Sequence, residues 1–249
     1  MNASSRVALV TGAARGIGRG IAEALAADGM AVAVGYHTGA DNARGVVAGI
    51  RAAGGRALPV ALDIEDRASV RAALAAIRAA FGAVDVLVNN AAIAQEKPFE
   101  TITDQDWSRM LAVNLQGPFI CAQEALPEML AKGWGRIINI TSIGGQWGGF
   151  NQVHYAAAKA GLINFTRSLA KIYGGRGIAT NAVSPGLVAT DMTAGELATE
   201  VGRHKLTQIP AGRTGSVDEV AAVVAFLASE QASYVLGQTI NVNGGQYFG

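Results

Sequence analysis

The sequence predicts an α/β fold in which a doubly wound parallel sheet carries helices on both faces. Short apolar or β-branched runs alternate with alanine-rich runs along all 249 residues. The apolar runs show little polar alternation, which is typical of parallel strands that are covered on both faces. With 50% hydrophobic residues and no linker or low-complexity tract, the chain is predicted to fold as one domain, 1–249.

Seven apolar runs are predicted as strands, and the intervals between them are predicted as helices. In chain order, the strands span 7–11, 31–36, 57–62, 84–90, 136–141, 178–184 and 239–243. The stretch 188–214 is long for a connection between a strand and a helix. We expect it to form a lid over a substrate site.

Composition limits the partners of the chain. The formal net charge is +1, from 20 basic and 19 acidic residues, which gives no reason to expect nucleic acid or an anionic membrane. The N-terminus leads into the first strand without a signal peptide, and no apolar stretch reaches the roughly 18 residues of a membrane span. The single cysteine, Cys121, has no intrachain partner, and no metal site is predicted. We therefore expect a cytoplasmic protein that binds a small molecule.

A glycine-rich turn follows the first predicted strand. The run TGAARGIG places Gly12, Gly16 and Gly18 where a helix begins. Unpaired N–H groups and the positive end of the helix dipole make this position suitable for a pyrophosphate. The spacing alone is weak support in a chain with 32 glycines, and a tight turn without a ligand is the alternative. The order of strand, turn and helix favours a dinucleotide.

A tyrosine and a lysine stand four residues apart in the run VHYAAAKAGL, and a serine precedes the tyrosine by thirteen residues. Tyr155 and Lys159 share one face of the predicted helix, and the small residues around them leave room for a ligand. Ser142 follows the strand at 136–141. Taken singly, the three residues fit a buried aromatic, a solvated charge and a helix N-cap. Their joint spacing is rare by chance and indicates a catalytic set.

This set, the glycine-rich turn TGAARGIG and four shorter motifs resemble the short-chain dehydrogenases/reductases over essentially the whole chain. The shorter motifs are LDI at 62–64, NNAA at 89–92, Asn114 within VNL, and SPG at 184–186. Ala92 stands where the family usually has glycine, and we expect only slight crowding there. The resemblance implies a Rossmann-type sheet in the order 3-2-1-4-5-6-7. It also implies an NAD(P)H-dependent oxidoreductase that interconverts a ketone and a secondary alcohol.

The implied reaction assigns roles to the catalytic set. Hydride transfer to a carbonyl carbon leaves charge on the oxygen, so a proton donor is needed, and Tyr155 is the expected donor. An ammonium about 4 Å away, that of Lys159, would lower the phenol pKa by up to about three units. Ser142 would orient the carbonyl. The resemblance further implies that Asn114 holds a water that relays protons to Lys159. It also implies that Tyr155 and Lys159 contact the cofactor, with Lys159 at the nicotinamide ribose.

The resemblance also implies which residues contact the cofactor. Asp63 and Ile64 would meet the adenine, with a helix N-cap as the alternative for Asp63. Asn90 and Ala91 would present backbone to the adenine ribose. A simple loop hydroxyl is the alternative for Thr190. The implied contacts from the glycine turn and from the segment after the sixth strand are Gly12, Arg15, Gly16, Ile17, Gly18, Pro185, Gly186, Val188 and Thr190.

The end of the second strand predicts a preference for NADPH over NADH. An NAD-specific site usually has a carboxylate there, which repels a 2′-phosphate, whereas this chain has Tyr36. His37 and Thr38 can donate hydrogen bonds to the phosphate, and Arg15 adds a positive charge. The alternative is that these are turn residues and a solvated arginine, in which case NAD is accepted as well.

The substrate is predicted only as a class. Within the family, HYAAAKAGL and SPGLVATDM look most like the 3-oxoacyl-[acyl-carrier-protein] reductases, but sugar, polyol and steroid dehydrogenases share them. The expected partner is a small ketone or alcohol, or an acyl-carrier-protein thioester. A non-catalytic dinucleotide-binding regulator is the alternative of another class, and the full catalytic set argues against it. The apolar lid residues, which suit a hydrophobic ketone or ordinary packing, are Met192, Leu197, Val201 and Leu206.

The resemblance implies a homotetramer as well. Family members pair two long helices across two-fold axes, and the corresponding helices here are predicted at about 104–132 and 152–174. The apolar C-terminal run TINVNGGQYFG would form a second interface.

Overall fold

The computed structural model describes residues 6–190, 204 and 206–249. Seven parallel strands form one sheet in the order β3-β2-β1-β4-β5-β6-β7, which confirms the predicted fold class and strand order. The strands are β1 Val7–Val10, β2 Ala31–Tyr36, β3 Arg56–Ala61, β4 Val86–Asn89, β5 Gly135–Ile140, β6 Ile178–Pro185 and β7 Thr239–Val242. Each strand lies within two residues of its predicted bounds.

Helices fill the intervals between the strands. They are α1 Gly16–Ala27, α2 Ala40–Ala52, α3 Arg67–Phe81, α4 Asp104–Leu111, α5 Gly117–Lys132, α6 Gly144–Trp147, α7 Val153–Tyr173 and α8 Val217–Ala228. None of the helices in the described ranges is long and apolar enough to cross a membrane.

One predicted helix is interrupted. The range 104–132 forms α4 and α5, and a π-helical turn, Ala112–Gln116, joins them. Pro118, just after this turn, lacks the N–H that a regular α-helix would bond to the carbonyl of Asn114, so one α-helical hydrogen bond is missing here. The second long helix, α7, agrees with its prediction.

The two faces of the sheet are covered by different helices. Successive strand residues point to opposite faces. Ala8 and Val10 therefore pack with α1, α2 and α8, whereas Val7 and Leu9 pack with α3, α5 and α7. Cys121 of α5 is buried on the face that α3, α5 and α7 cover, and this burial raises the pKa of its thiol to about 12. The predicted helices on both faces are confirmed.

The strands deliver the predicted site residues to one edge of the sheet. Because all strands are parallel, their carboxyl ends lie along the same edge. β1 pairs with both β2 and β4, so the strand order reverses there and leaves a crevice at that edge. The connections that leave β1, β4, β5 and β6 lead directly into the predicted site.

The predicted lid, 188–214, is described in part. Val188 forms a bridge with Gly215, and Ile209 is buried. Leu206 is half-buried. The other apolar residues predicted for the lid lie outside the described residues; they are Met192, Leu197 and Val201.

Candidate functional site

A cavity of about 1410 Å³ opens along the carboxyl edge of the sheet. It extends from the glycine turn after β1 to the first turns of α7. All predicted site residues except Asn114 line it: Gly12, Arg15, Gly16, Ile17, Gly18, His37, Asp63, Ile64, Asn90, Ala91, Ser142, Tyr155, Lys159, Pro185, Gly186, Val188 and Thr190. The fold therefore brings widely separated segments of the chain to one cavity.

The turn after β1 admits only glycine at its critical positions. Gly12 and Gly16 have positive φ angles of 63° and 54°, which favour glycine. A Cβ atom on Gly18 would lie 2.4 Å from the side-chain nitrogen of Asn90. Helix α1 then begins at Gly16 without a side-chain cap, so its first N–H groups are available to an anion. This cradle fits the pyrophosphate of a dinucleotide.

A residue that sequence reasoning missed, Thr11, fixes this turn against β4. Its Oγ1 accepts hydrogen bonds from the backbone N–H groups of Asn90 and Ala91, each at 3.0 Å. The Asn90 side chain donates in return to the carbonyls of Thr11 and Gly12, at 2.9 and 3.0 Å. Asn90 therefore holds the glycine turn with its amide and faces the cavity beside it. A hydroxyl residue directly before the first glycine was the available sequence signal.

Two predicted cofactor residues meet beyond β2 and β3. The Nε2 atom of His37 lies 3.8 Å from Oδ2 of Asp63. Asp63 is not the N-cap of α3, because Asp66 occupies that position and accepts a hydrogen bond from the N–H of Ala68 at 2.9 Å. The Asp63 carboxylate instead accepts from the N–H of Glu65. The alternative assignment of Asp63 as a helix cap is thereby excluded.

The catalytic set gathers at the end of β5. The Nζ atom of Lys159 donates to the carbonyl of Ile140, the last residue of β5, at 2.9 Å. Ser142 follows two residues later, and its Oγ accepts from the N–H of Gly144 at 3.1 Å. The ring centroid of Tyr155 lies 5.6 Å from Nζ of Lys159. The three side chains thus share one wall of the cavity.

The predicted effect of Lys159 on the pKa of Tyr155 is wrong for this structure. Burial raises the pKa of Tyr155, and its hydrogen bond with Ser142 acts in the opposite direction. Burial also lowers the pKa of Lys159, to about 8. Both groups lose solvation on folding, which disfavours both charged forms, and the lysine nitrogen is held by the carbonyl of Ile140. Tyr155 is therefore a protonated phenol at neutral pH.

Asn114 lies behind the cavity wall. It is fully buried within the π-helical turn. Its Nδ2 atom donates to the carbonyls of Ile93 and Met110, at 3.0 and 3.1 Å. Its Oδ1 atom has no hydrogen-bond partner among the described residues. This oxygen therefore keeps acceptor capacity, as the predicted water site requires.

Several cavity residues were not predicted because only folding brings them to the cavity. They are Ile93, Gln95, Trp147, Phe150, Gln152 and Gln246. The two aromatic side chains lie at the mouth, and Phe150 is 97% exposed. These residues come from three separate segments and share no motif, so the sequence contained no signal for them. Across the described ranges, no group of three or more His, Cys, Asp or Glu residues is placed to hold a metal ion.

Comparison with known proteins settles the family. A family model described as enoyl-(acyl carrier protein) reductase matches residues 12–246. The protein named 3-oxoacyl-[acyl-carrier-protein] reductase FabG from Staphylococcus aureus (strain Mu50) is 44% identical over 98% of both chains. The protein of the same name from Escherichia coli (strain K12) is 44% identical over 99% of both chains. The chain belongs to the short-chain dehydrogenase/reductase family. As a member of that family it is an oxidoreductase, as predicted.

Solved structures of this short-chain dehydrogenase/reductase family match its fold closely. A candidate gluconate dehydrogenase from Agrobacterium tumefaciens superposes with a TM-score of 0.94 at 34% identity, covering 97% of this chain and 95% of the other. A candidate NAD(P)-dependent gluconate 5-dehydrogenase from Beutenbergia cavernae, described with bound NADP at low occupancy, superposes with a TM-score of 0.91 at 39% identity. That match covers 97% of this chain and 96% of the other.

Proposed function

We propose that the chain reduces a 3-oxoacyl thioester carried by acyl carrier protein to the 3-hydroxyacyl thioester, with NADPH as cofactor. The observation that carries the proposal is the meeting of Ser142, Tyr155 and Lys159 at the end of β5, in the wall of the cavity that contains the glycine turn. The FabG relatives, at 44% identity over nearly the whole chain, support this substrate class.

Tyr155 donates a proton to the carbonyl oxygen in this proposal. Burial raises the pKa of its phenol, so the group holds its proton at neutral pH and acts as an acid. Ser142 accepts a hydrogen bond from the N–H of Gly144 and keeps its own proton for the carbonyl oxygen or for Tyr155. Bound NADPH supplies the hydride to the carbonyl carbon. One hydride and one proton together convert the ketone to the alcohol.

Lys159 and Asn114 return a proton to Tyr155 after each turnover. The pKa of Lys159, lowered to about 8 by burial, allows its ammonium to release a proton near neutral pH. Asn114 keeps Oδ1 as an acceptor for the water that connects Lys159 to solvent. Lys159 also binds the nicotinamide ribose, and the segment from Pro185 to Thr190 holds the carboxamide.

NADPH is the preferred cofactor because no carboxylate ends β2. Tyr36 occupies that position, followed by the exposed His37 and Thr38. Arg15 is exposed at the start of α1, and no salt bridge engages it within the described part of the chain. This arrangement leaves a positive charge for the 2′-phosphate. The Beutenbergia relative, which is described with bound NADP, supports the choice.

The proposal extends to assembly, lid and location. We propose a homotetramer that pairs α5 and α7 across two-fold axes, because Phe119 and Ile172 on these helices are 40% and 61% exposed. The segment 188–214 would close over the substrate within the single domain, 1–249. We propose a cytoplasmic location, where acyl carrier protein would be the partner.

Oxidation of a sugar acid is the second candidate. The solved relatives described as gluconate dehydrogenases favour it. The amide side chains of Gln95, Gln152 and Gln246 on the substrate side can also bind hydroxyl groups. Against it stand Trp147 and Phe150 at the mouth of the cavity, which suit an apolar chain.

A substrate series tests the proposal directly. Three substrates should be assayed with NADPH and with NADH: acetoacetyl thioester, 5-ketogluconate and crotonyl thioester. Crotonyl thioester is included because the matching family model is described as an enoyl reductase. We expect kcat/KM to be highest for acetoacetyl thioester with NADPH. A higher value for 5-ketogluconate would favour the sugar-acid candidate, and activity with crotonyl thioester alone would overturn ketone reduction.

A further inference from the structure

Helix α7 carries Tyr155 in its first turn, yet no side chain caps that turn. Gln152 is the N-cap residue and makes no side-chain capping bond. The first N–H groups of a helix have no partner within the helix, and an uncapped first turn frays more easily. Proton transfer requires Tyr155 to stay within hydrogen-bond reach of the substrate oxygen. Contacts with the segment 95–97 hold the start of α7 instead.

One of these contacts is a hydrogen bond between His154 and Gln95. His154 is 0% exposed, and its Nε2 atom lies 2.8 Å from Oε1 of Gln95. The Nε2 atom of Gln95 in turn donates to Oδ1 of Asp106 at 3.0 Å. The segment around Gln95 is tied a second time to the chain before α7, because the N–H of Lys97 donates to the carbonyl of Asn151 at 2.7 Å.

The polarity of this chain of bonds is fixed from its far end. Asp106 completes the capping box of α4 with Thr103 and pairs with Lys97, which keeps the pKa of its carboxyl well below the usual range. An ionised carboxylate only accepts, so the amide nitrogen of Gln95 must face Asp106 and its oxygen must face His154. His154 therefore donates from Nε2. Burial lowers the pKa of its ring, which favours the neutral form with the proton on that nitrogen.

We infer that His154 is a positioning residue: its hydrogen bond to Gln95 anchors the first turn of α7 and holds Tyr155 in place for proton transfer. This inference rests on the proposed role of Tyr155. His154 does not line the cavity, so it acts on the substrate only through its neighbour. Gln95, in contrast, does line the cavity. Through Gln95, this hydrogen bond links Asp106 in the first turn of α4 to the first turn of α7, which carries Tyr155.

The first test compares four enzymes with acetoacetyl thioester and NADPH. His154→Leu removes the donor, and we expect kcat to fall at least about tenfold while KM and the Kd for NADPH stay within about twofold. His154→Gln keeps an amide donor at the position of Nε2 and should recover most of the lost kcat. Thr166→Val is the matched control. It removes a buried hydrogen bond of the same helix, in which the Asn139 amide donates to Oγ1 of Thr166 at 2.8 Å, and it lies about three turns away from Tyr155. It should lower Tm and leave kcat unchanged.

A mutant cycle tests whether His154 and Gln95 act through one bond. If they do, the variant with both His154→Leu and Gln95→Met should have a kcat no lower than the poorer single variant. Additive losses in log kcat would overturn the inference. So would a kcat for His154→Leu within twofold of the unmutated enzyme, or an equal loss in Thr166→Val.

A second readout does not depend on activity. Hydrogen exchange of the peptide covering 153–157 should speed up in His154→Leu and stay unchanged in His154→Gln and Thr166→Val. The bond from the N–H of Ala156 to the carbonyl of Gln152 lies in this turn. Unchanged exchange in His154→Leu would overturn the anchor. If the unmutated enzyme reduces no ketone, the proposed function fails, and the exchange result still decides the anchor.

Discussion

Replacing Lys159 by methionine should stabilise the protein while abolishing its turnover. The side chain of Lys159 is 2% exposed, and its ammonium donates to the carbonyl of Ile140 at 2.9 Å. Its pKa falls to about 8 in the folded protein, from 10.5 for an ordinary lysine. The lowered pKa means that folding disfavours the charged form of this lysine, from which the proposed return of a proton to Tyr155 starts. The proposed role of Lys159 therefore comes with a lower folding stability at this position.

The size of the effect follows from the lowered pKa. At about 1.4 kcal/mol per pKa unit, the charged lysine costs about 3 kcal/mol of folding free energy at pH 7. Loss of the bond to Ile140 costs Lys159→Met about 1 kcal/mol. The net gain is about 2 kcal/mol, or about 4 to 8 °C in Tm for a chain of this length.

The pH dependence has a definite sign. Between pH 8 and pH 10.5 the unfolded chain binds more protons at this lysine than the folded chain, so this group makes the unmutated protein more stable as the pH rises. Below pH 8 the full penalty applies. The Tm difference between Lys159→Met and the unmutated protein should therefore be largest at pH 7 and should shrink toward pH 10.5.

Thermal unfolding at pH 7 and at pH 10, at one protein concentration, measures this difference. Lys171→Met is the control, because Lys171 lies exposed near the end of the same helix and its replacement should leave Tm unchanged. A lower Tm for Lys159→Met at pH 7, or a difference that does not shrink at pH 10, would refute the argument.

Three further predictions follow from the cofactor site and the surface. The Cβ atom that Gly18→Ala adds would lie 2.4 Å from the side-chain nitrogen of Asn90 and would displace the glycine turn. Fluorescence titration should therefore show at least about tenfold weaker NADPH binding, and an unchanged Kd would contradict this. The unmutated enzyme should favour NADPH over NADH by at least about tenfold in kcat/KM, and Tyr36→Asp should reverse the order; equal values for both cofactors refute the assignment. Light scattering at micromolar concentration should give a tetramer, and a stable monomer contradicts the proposed pairing of α5 and α7.

The sheet could be predicted because its signal is local. Each strand is a short apolar run between helical runs, and parallel strands need no long-range pattern to be recognised. The π-helical turn at Ala112–Gln116 could not be predicted from the helical pattern, because Pro118 follows it but Pro127 lies inside α5 without interrupting the helix. The alternative that Asp63 caps α3 was wrong. The sequence has a second aspartate three residues later, Asp66, and that residue is the N-cap.

The proposed catalytic residues could be recognised from the sequence because one helix and one strand fix their spacing. Their electrostatics could not. The four-residue interval indicated that the Lys159 ammonium lies close to the Tyr155 phenol. The pKa of each group, however, depends mainly on its burial, which results from the packing of segments distant in the sequence. The same holds for His154, which the sequence placed beside Tyr155 without indicating Gln95 as its partner.

The most direct test of the account is the turnover of Tyr155→Phe. This change removes the transferable proton and leaves the ring, so NADPH should bind with a Kd within about twofold of the unmutated enzyme. The kcat for acetoacetyl thioester should fall at least about 10²-fold. A variant that binds NADPH normally and keeps most of its kcat would contradict the role of Tyr155 as the acid.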